Sequence, residues 1–481
     1  MEIINKDTKY YIYLCITACI IFGSKFLPAI GAITEYGTTI VGIFIGVIFG
    51  YCTIGMILPS FMCFIALGFS GWGAVPEVMQ AAIGNSTVLY IISILILSAM
   101  LEECGLTNKL VNWLVTRKFI KGKPWALSFM FLLAAYVGSL FVNAIPPTFI
   151  CWALLTELFV SVGFKKGDKW PMIMMFGVLY TACLASFVPS FQIAVTANIG
   201  LLAACSGGAL IMNPIKYMIW SFTCSAILFA LFFVFVKYIV RPDVSLLQNE
   251  NLVEEDTQPL TNEQKVTITI FALFVLGLLL PSILPAGNII KVILDTMSSC
   301  GWGLLMVLLA IAVRVDGKAV FPFDKLFSKG VIWDVVLQMA TVFTLAAIIT
   351  DERTGVANLV ISIVSPLQNA MGELMFLVLL SLIVTILANL LNTVAVCCTF
   401  IPILYMLTQG VGFNMFLFVA ILNFVGNICF VMPSATPNAA MMYSQREWIP
   451  MKWCLIFSIF VMITVYLVVM IVGIPLGNIL F

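Results

Sequence analysis

From Leu380 to Met406 the chain reads LSLIVTILANLLNTVAVCCTFIPILYM, an apolar run with no charge and with the amide and hydroxyl of Asn392-Thr393 at its centre. A run of that length enters a bilayer, where no water is at hand and every polar group must find a partner inside the protein. Polar side chains kept at such depth mark a site more often than a packing need. The stretch from Leu127 to Leu158 has the same design, interrupted by Asn143-Ala144-Ile145-Pro146-Pro147. A chain with two such segments reads as one built twice.

The rest of the sequence obeys the same solvent. With 62% hydrophobic residues, 9% charged and a mean hydropathy of +1.14, it carries more apolar surface than a soluble domain can cover. Spans are expected near 10–30, 38–56, 57–72, 87–103, 216–238, 265–284, 290–313 and 331–350. The first follows Lys6 and Lys9 and lacks a small-residue cleavage site, so it reads as a retained span. A net charge of +1 gives no sign of a nucleic-acid partner. The 14 cysteines are scattered without a Cys-x-x-Cys arrangement and read as small buried residues, not as disulfides or metal ligands. Histidine is absent, which removes the commonest metal ligand. Neither a cofactor nor a transition-metal site is expected.

Several segments are too long for one crossing. Trp125 to Gly163 as one straight helix would measure roughly 58 Å, about twice the hydrocarbon thickness. Its flanks are both basic, with Lys109, Arg117, Lys118, Lys121 and Lys123 before it and Lys165, Lys166 and Lys169 after it. A hairpin that enters, turns at the midplane and returns satisfies both facts, so a re-entrant hairpin is expected at about 125–163. A broken helix is expected at about 170–212, with polar interruptions at Pro189-Ser190 and Val195-Thr196-Ala197-Asn198. A second hairpin at about 373–410 and a second broken helix at about 411–445 follow in the other half. The hydrophilic stretch Asp243 to Lys265 cannot build a core and reads as a linker.

Spacing supports the duplication. Asn143 follows Gly105 by 38 positions and Asn392 follows Gly355 by 37, and each glycine stands behind an acidic pair, Glu102-Glu103 and Asp351-Glu352. The segment after Gly105 is basic, whereas Thr354 to Gln445 contains no Lys or Arg. The positive-inside rule puts the first segment on the cytoplasmic side and the second outside. Inverted repeats of this kind belong to secondary transporters. The expected fold is therefore all-α and polytopic, with about eleven transmembrane helices and two re-entrant hairpins in two inverted-topology repeats. Its divisions are 1–37 (first span), 38–240 (repeat 1), 241–264 (cytoplasmic linker) and 265–481 (repeat 2). The expected location is a bacterial cell membrane, with a cytoplasmic N-terminus and an external C-terminus.

The breaks pair within each half: Asn143 with Val195 to Asn198, and Asn392-Thr393 with the stretch Phe430 to Asn438. Pro433 and Pro437 cannot continue a helix and leave carbonyls free for a cation. Helix N-termini at the breaks offer amide hydrogens and partial positive charge to an anion. A membrane enzyme would need paired Asp, a Ser-His pair or metal ligands at depth, none of which is visible. A channel would need a continuous polar pore in place of interrupted apolar hairpins.

At these residues the sequence resembles the divalent anion/sodium symporter family of the ion transporter superfamily, over nearly the whole chain. That family carries Ser-Asn-Thr at each hairpin tip and Thr-Pro in each unwound helix. Asn392-Thr393 and Ala435-Thr436-Pro437-Asn438 look like the second-repeat motifs; Asn143 and Val195-Thr196-Ala197-Asn198 look like the first. The resemblance implies a homodimer with scaffold and transport domains, working as an elevator on small organic anions such as dicarboxylates, coupled to sodium or exchanging. It implies substrate contacts from Asn143, Ala144, Thr196, Asn392, Thr393, Thr436 and Pro437, and sodium contacts from Asn143, Val195, Asn392 and Ala435. Val142 and Leu391 stand where the family has Ser, Ala144 where it has Thr, and Gly138 and Leu387 where it places a sodium-binding hydroxyl. Fewer hydroxyls suit a less charged or more apolar anion than succinate, or transport without sodium.

Overall fold

The computed structural model describes residues 6–117, 120, 122–249, 259–315, 318–391, 393–408 and 414–481. Of the residues singled out above, Lys118, Lys121 and Asn392 lie outside the described residues, as do 250–258 of the linker.

The chain opens with α1 (Lys6–Gly23), α2 (Glu35–Thr53), α3 (Ile57–Phe69), the short α4 (Val75–Ile83) and α5 (Ser86–Glu103). Gly105 then adopts a left-handed conformation (φ 66°, ψ 20°) and starts α6 (Leu106–Val115). Two helices joined by a tight turn follow, α7 (Pro124–Ser139) and α8 (Ile145–Val162), and they pack on each other. Next come α9 (Lys169–Ser186), α10 (Ile193–Cys205) and α11 (Pro214–Val234). The second half comprises α12 (Asn262–Ile283), α13 (Ile289–Ala312), a small hairpin of β1 (Arg314–Val315) and β2 (Lys318–Ala319), α14 (Phe323–Gly330) and α15 (Trp333–Ile349). Gly355 is again left-handed (φ 71°, ψ 0°) and starts α16 (Val356–Met371). Helices α17 (Glu373–Leu390) and α18 (Thr393–Thr408) form a second packed pair, followed by α19 (Met415–Val425), α20 (Pro437–Ser444), α21 (Met451–Val468) and α22 (Ile474–Leu480).

Eight helices among the described residues are long and apolar enough to cross a membrane, and the chain is an integral multi-pass membrane protein. Local chemistry explains where they start. Pro146 and Pro147 occupy the first turn of α8, where a missing N–H costs nothing. The Asn213 side chain caps α11 in front of Pro214, and Thr261 with Gln264 forms a capping box on α12.

Two helices form the interior. Every residue of α9 from Trp170 to Ser186 is buried, and so is all of α19 but Phe416. Helices apolar on all sides must be covered on all sides. Both are followed by breaks, Phe187–Gln192 and Gly426–Thr436.

Long-range hydrogen bonds sort the helix ends. At one end Gln264 Nε2 donates to the Cys104 carbonyl, Lys109 reaches the Pro259 carbonyl, and Lys166 pairs with Glu447 at 2.8 Å. At the other, the Thr34 hydroxyl donates to the Arg353 carbonyl and the Thr350 hydroxyl to the Cys205 carbonyl. Thr87, at the start of α5, packs on Gly200 near the same end of α10 whose Cys205 carbonyl takes the Thr350 hydroxyl, so Gly105, beyond the far end of α5, and Gly355, beyond Thr350, sit at opposite ends. Both ends carry exposed ion pairs: Lys166 lowers the pKa of Glu447, and Arg353 lowers that of Asp351.

Two details depart from the sequence reading. Val195 to Asn198 lies inside α10: Ile193 to Cys205 contains no Pro, its single glycine, Gly200, is carried within the helix where it packs against Thr87 and Phe343, and the break falls wholly at Phe187–Gln192. The stretch around Val75 to Ile83 forms a helix of its own, with Pro76 in its first turn and Glu77 bonded back to the Ala74 amide.

Candidate functional site

Each helical hairpin turns against the break of its own half. In the first, Leu140 to Ala144 makes the turn, and the exposed Asn143 accepts the Ile145 amide at 2.9 Å, which caps the start of α8. Ala144 is buried beside it. Buried Gln192, the residue preceding α10, holds this turn: its Nε2 donates to the carbonyls of Val142 (3.0 Å) and Ser139 (3.3 Å). The Gln192 carbonyl accepts the Thr196 amide, and the Thr196 hydroxyl donates to the Ser190 carbonyl at 3.0 Å. Asn143, Ala144, Val195 and Thr196 are thereby gathered around Gln192. Val195 is fully buried within α10, where the helical ladder uses its carbonyl.

The second hairpin repeats the arrangement with other residues. Buried Asn389, in the last turn of α17, accepts the amides of Phe430 and Val431 at 3.2 and 3.3 Å, and its carbonyl accepts the Met432 amide. These bonds satisfy backbone donors that the break would otherwise leave orphaned in an apolar surround. Thr393 donates to the Ala435 carbonyl through both its amide and its hydroxyl, each at 3.2 Å. Thr436 caps α20: its hydroxyl accepts the Ala439 amide at 3.0 Å and donates to the Cys429 carbonyl at 2.9 Å. Pro437 is the first residue of α20 and is exposed.

The halves meet between α10, α18 and α19. Asn198 Nδ2 donates to Asn423 Oδ1 at 2.7 Å and lies 3.7 Å from the Cys397 sulfur. Thr196, two positions earlier and so on a different face of α10, lines a cavity of about 630 Å³ that reaches α12 and α13. The tip bonds described above seat each hairpin on its own break and do not join Asn143 to Thr393. Gln192, Asn389 and Asn423 escaped the motif-based reading, although the signal was present: each is an amide inside an apolar run.

The family is fixed by the match of residues 6–481 to the model described as the sodium:sulfate symporter transmembrane region. The chain belongs to this family. The sodium:sulfate symporter family consists of transporters, so the protein is not an enzyme, in line with the sequence reading. No curated protein matches the sequence. Solved structures share the fold, two of them as follows. The YdaH transporter of Alcanivorax borkumensis, whose structure revealed an unusual topology, is 13% identical with a TM-score of 0.54, over 84% of this chain and 86% of its own. MtrF of Neisseria gonorrhoeae, described with a class of antimetabolite efflux pumps, is 12% identical with a TM-score of 0.55, over 96% of this chain and 94% of its own. At such identity the likeness concerns the fold alone. For a member of the sodium:sulfate symporter family, ions and an anionic substrate are the implied partners.

Proposed function

We propose that this symporter-family protein is a secondary active transporter of small organic anions, carboxylates above all, working by an elevator motion of one domain against a scaffold within a homodimer. The observation that carries the reading is the twofold recurrence of a helical hairpin whose tip is bonded to a broken helix, by Gln192 in one half and by Asn389 and Thr393 in the other. The opposite placement of α6 and α16 supports repeats of inverted topology divided as 38–240 and 265–481 around a cytoplasmic linker. In this reading Asn143, Ala144, Thr196, Asn392, Thr393, Thr436 and Pro437 surround the substrate, which the dipoles of α8, α18 and α20 hold by their N-termini.

One observation favours a sodium-independent or exchanging mode. Gly138 and Leu387 supply no hydroxyl, the Val195 carbonyl belongs to a helix, and the Ala435 carbonyl already accepts Thr393. Counterflow in proteoliposomes tests both points, with succinate, monocarboxylates and sulfate each offered with and without a sodium gradient. Saturable counterflow of a carboxylate supports the reading, and its dependence on the gradient separates the two modes. A linear, unsaturable flux means a channel instead.

A further inference from the structure

The cavity beside Thr196 contains a charge the motifs do not foresee. Its wall opposite α10 is α13, whose face supplies Lys291, Leu294, Asp295, Ser298 and Trp302. Lys291 is the one cationic side chain among the described lining residues, and Asp295 the one acidic one. Their atoms lie 3.4 Å apart, with Lys291 the more enclosed, 25% exposed against 53%. Lys291 also donates to the Pro281 carbonyl. That carbonyl lacks its helical donor because the residue four positions on is Pro285, which has no N–H.

Two further features single the place out. Ser298, a non-glycine residue at φ 54° and ψ 179°, breaks the regular course of α13 at the cavity wall; surroundings must enforce such a conformation, and it collects at functional sites. The starts of α5, α11 and α13 all reach the same cavity, which adds the positive ends of three helix dipoles to the charge of Lys291. The volume falls in the range of small-molecule sites.

We propose that this cavity is an anion-docking vestibule, in which Lys291 receives the carboxylate of an incoming organic anion and Asp295 is the resident counter-ion that swings toward solvent to admit it. The anion then stands at Thr196, so this inference rests on the transport reading and extends it by a docking residue outside both hairpins and both breaks. Asp295 is suited to yield because it is the more exposed partner.

Cys300 lines the cavity and tests the proposal without a known substrate. Replacing Cys15, Cys19, Cys52 and Cys104 by Ser in the full-length protein leaves Cys300 as the one cysteine that is not buried. Its reaction rates with an anionic sulfonatoethyl and a cationic trimethylammonioethyl methanethiosulfonate are compared, each normalised to a free thiol. A site of this charge should favour the anionic reagent by about 10-fold. Lys291→Gln, which keeps a donor for Pro281, should remove the preference, Lys291→Arg should retain it, and Asp295→Asn should raise it. An unchanged rate ratio in Lys291→Gln, or a Cys300 that reacts with neither reagent, overturns the vestibule. In counterflow of whichever carboxylate the wild type carries, Lys291→Gln should raise the half-saturating concentration several-fold; an unchanged value overturns the docking role. A wild type with the charge preference but no counterflow of any anion leaves the anion site standing and sinks the transport reading.

Discussion

Asn198 Nδ2 lies 2.7 Å from Asn423 Oδ1, so the two halves of the chain, 225 positions apart at this contact, are joined by an amide pair in the interior. Asn423 is fully buried, and its own Nδ2 has no partner among the described residues. Interhelical hydrogen bonds in membrane proteins average ~0.6 kcal/mol and reach ~1.7, and low local dielectric favours the upper part of that range here. A double-mutant cycle of Asn198→Ala and Asn423→Ala, read by unfolding in detergent, should give a coupling of about 1 kcal/mol. Strict additivity of the two single losses would mean that the pair is close without being bonded in energy.

Asn389 holds the second break. Replacing it with Ala removes the acceptor of two backbone amides, Phe430 and Val431, and an unmade buried bond costs ~1–3 kcal/mol. Hydrogen exchange followed by mass spectrometry should therefore speed up across Gly426 to Thr436 in Asn389→Ala while α9 stays protected. Equal acceleration in both segments would point to global destabilisation and take away the specific role.

The sequence disclosed most of this architecture because bilayer solvent leaves few solutions. Long apolar runs must be helices, a run of twice the membrane thickness must turn back, and Gly105 and Gly355 recur because each helix start needs a left-handed residue there. The motif residues Thr393 and Thr436 lie where the break of α19 and α20 requires hydroxyls. What stayed hidden was which amide serves which backbone. Val195 to Asn198 looked like a break and is a helix, because polar side chains alone do not interrupt a helix that contains no Pro. Gln192, Asn389 and Asn423 are single amides whose bonds to other elements span 41 to 225 positions, and no local pattern encodes such a distance. Lys291 looked like part of a span and owes its meaning to a cavity formed by helices from both halves.

The exposed pair of Asp351 and Arg353 gives a pH dependence with a definite sign. The carboxyl is held below its ordinary 3.8 by the guanidinium hydrogen bond first, so the folded state binds the proton less readily than the unfolded one. Its contribution is fully present above pH ~4 and is lost as pH falls through the lower folded value. A plot of thermal midpoint against pH should differ between wild type and Asp351→Asn by a constant amount from pH 5 to 8, and the difference should shrink below pH 4. A difference that instead grows on acidification contradicts the pairing. The effect is small because the pair faces solvent.

Inverted topology has a chemical readout. Asn108 on α6 and Ser362 on α16 are both exposed. In a background without the 14 native cysteines, Cys placed at these two positions should react with an impermeant maleimide from opposite faces of the membrane. Reaction of both from one face would remove the inverted repeats and the case for a transporter built on them.

Thr436 separates a structural from a binding role. Its hydroxyl already caps α20 and donates to Cys429, which uses its one hydrogen and one of its two lone pairs. Thr436→Ala should lower stability by ~1 kcal/mol through the lost cap, whereas Thr436→Ser keeps both bonds. If the residue also positions the substrate, the Ala variant must lose more than the cap. A missing bond to a charged group costs ~1.5–3 kcal/mol, which is ~10- to 150-fold in affinity. Carboxylate counterflow should therefore need at least about ten times more substrate for half-saturation in Thr436→Ala, with Thr436→Ser near wild type. Thr393→Ala should behave similarly, although its backbone amide still reaches the Ala435 carbonyl and preserves the hairpin seat. A Thr436→Ala protein that melts earlier yet saturates at the wild-type concentration would assign Thr436 to the helix start alone and move the substrate away from the second break.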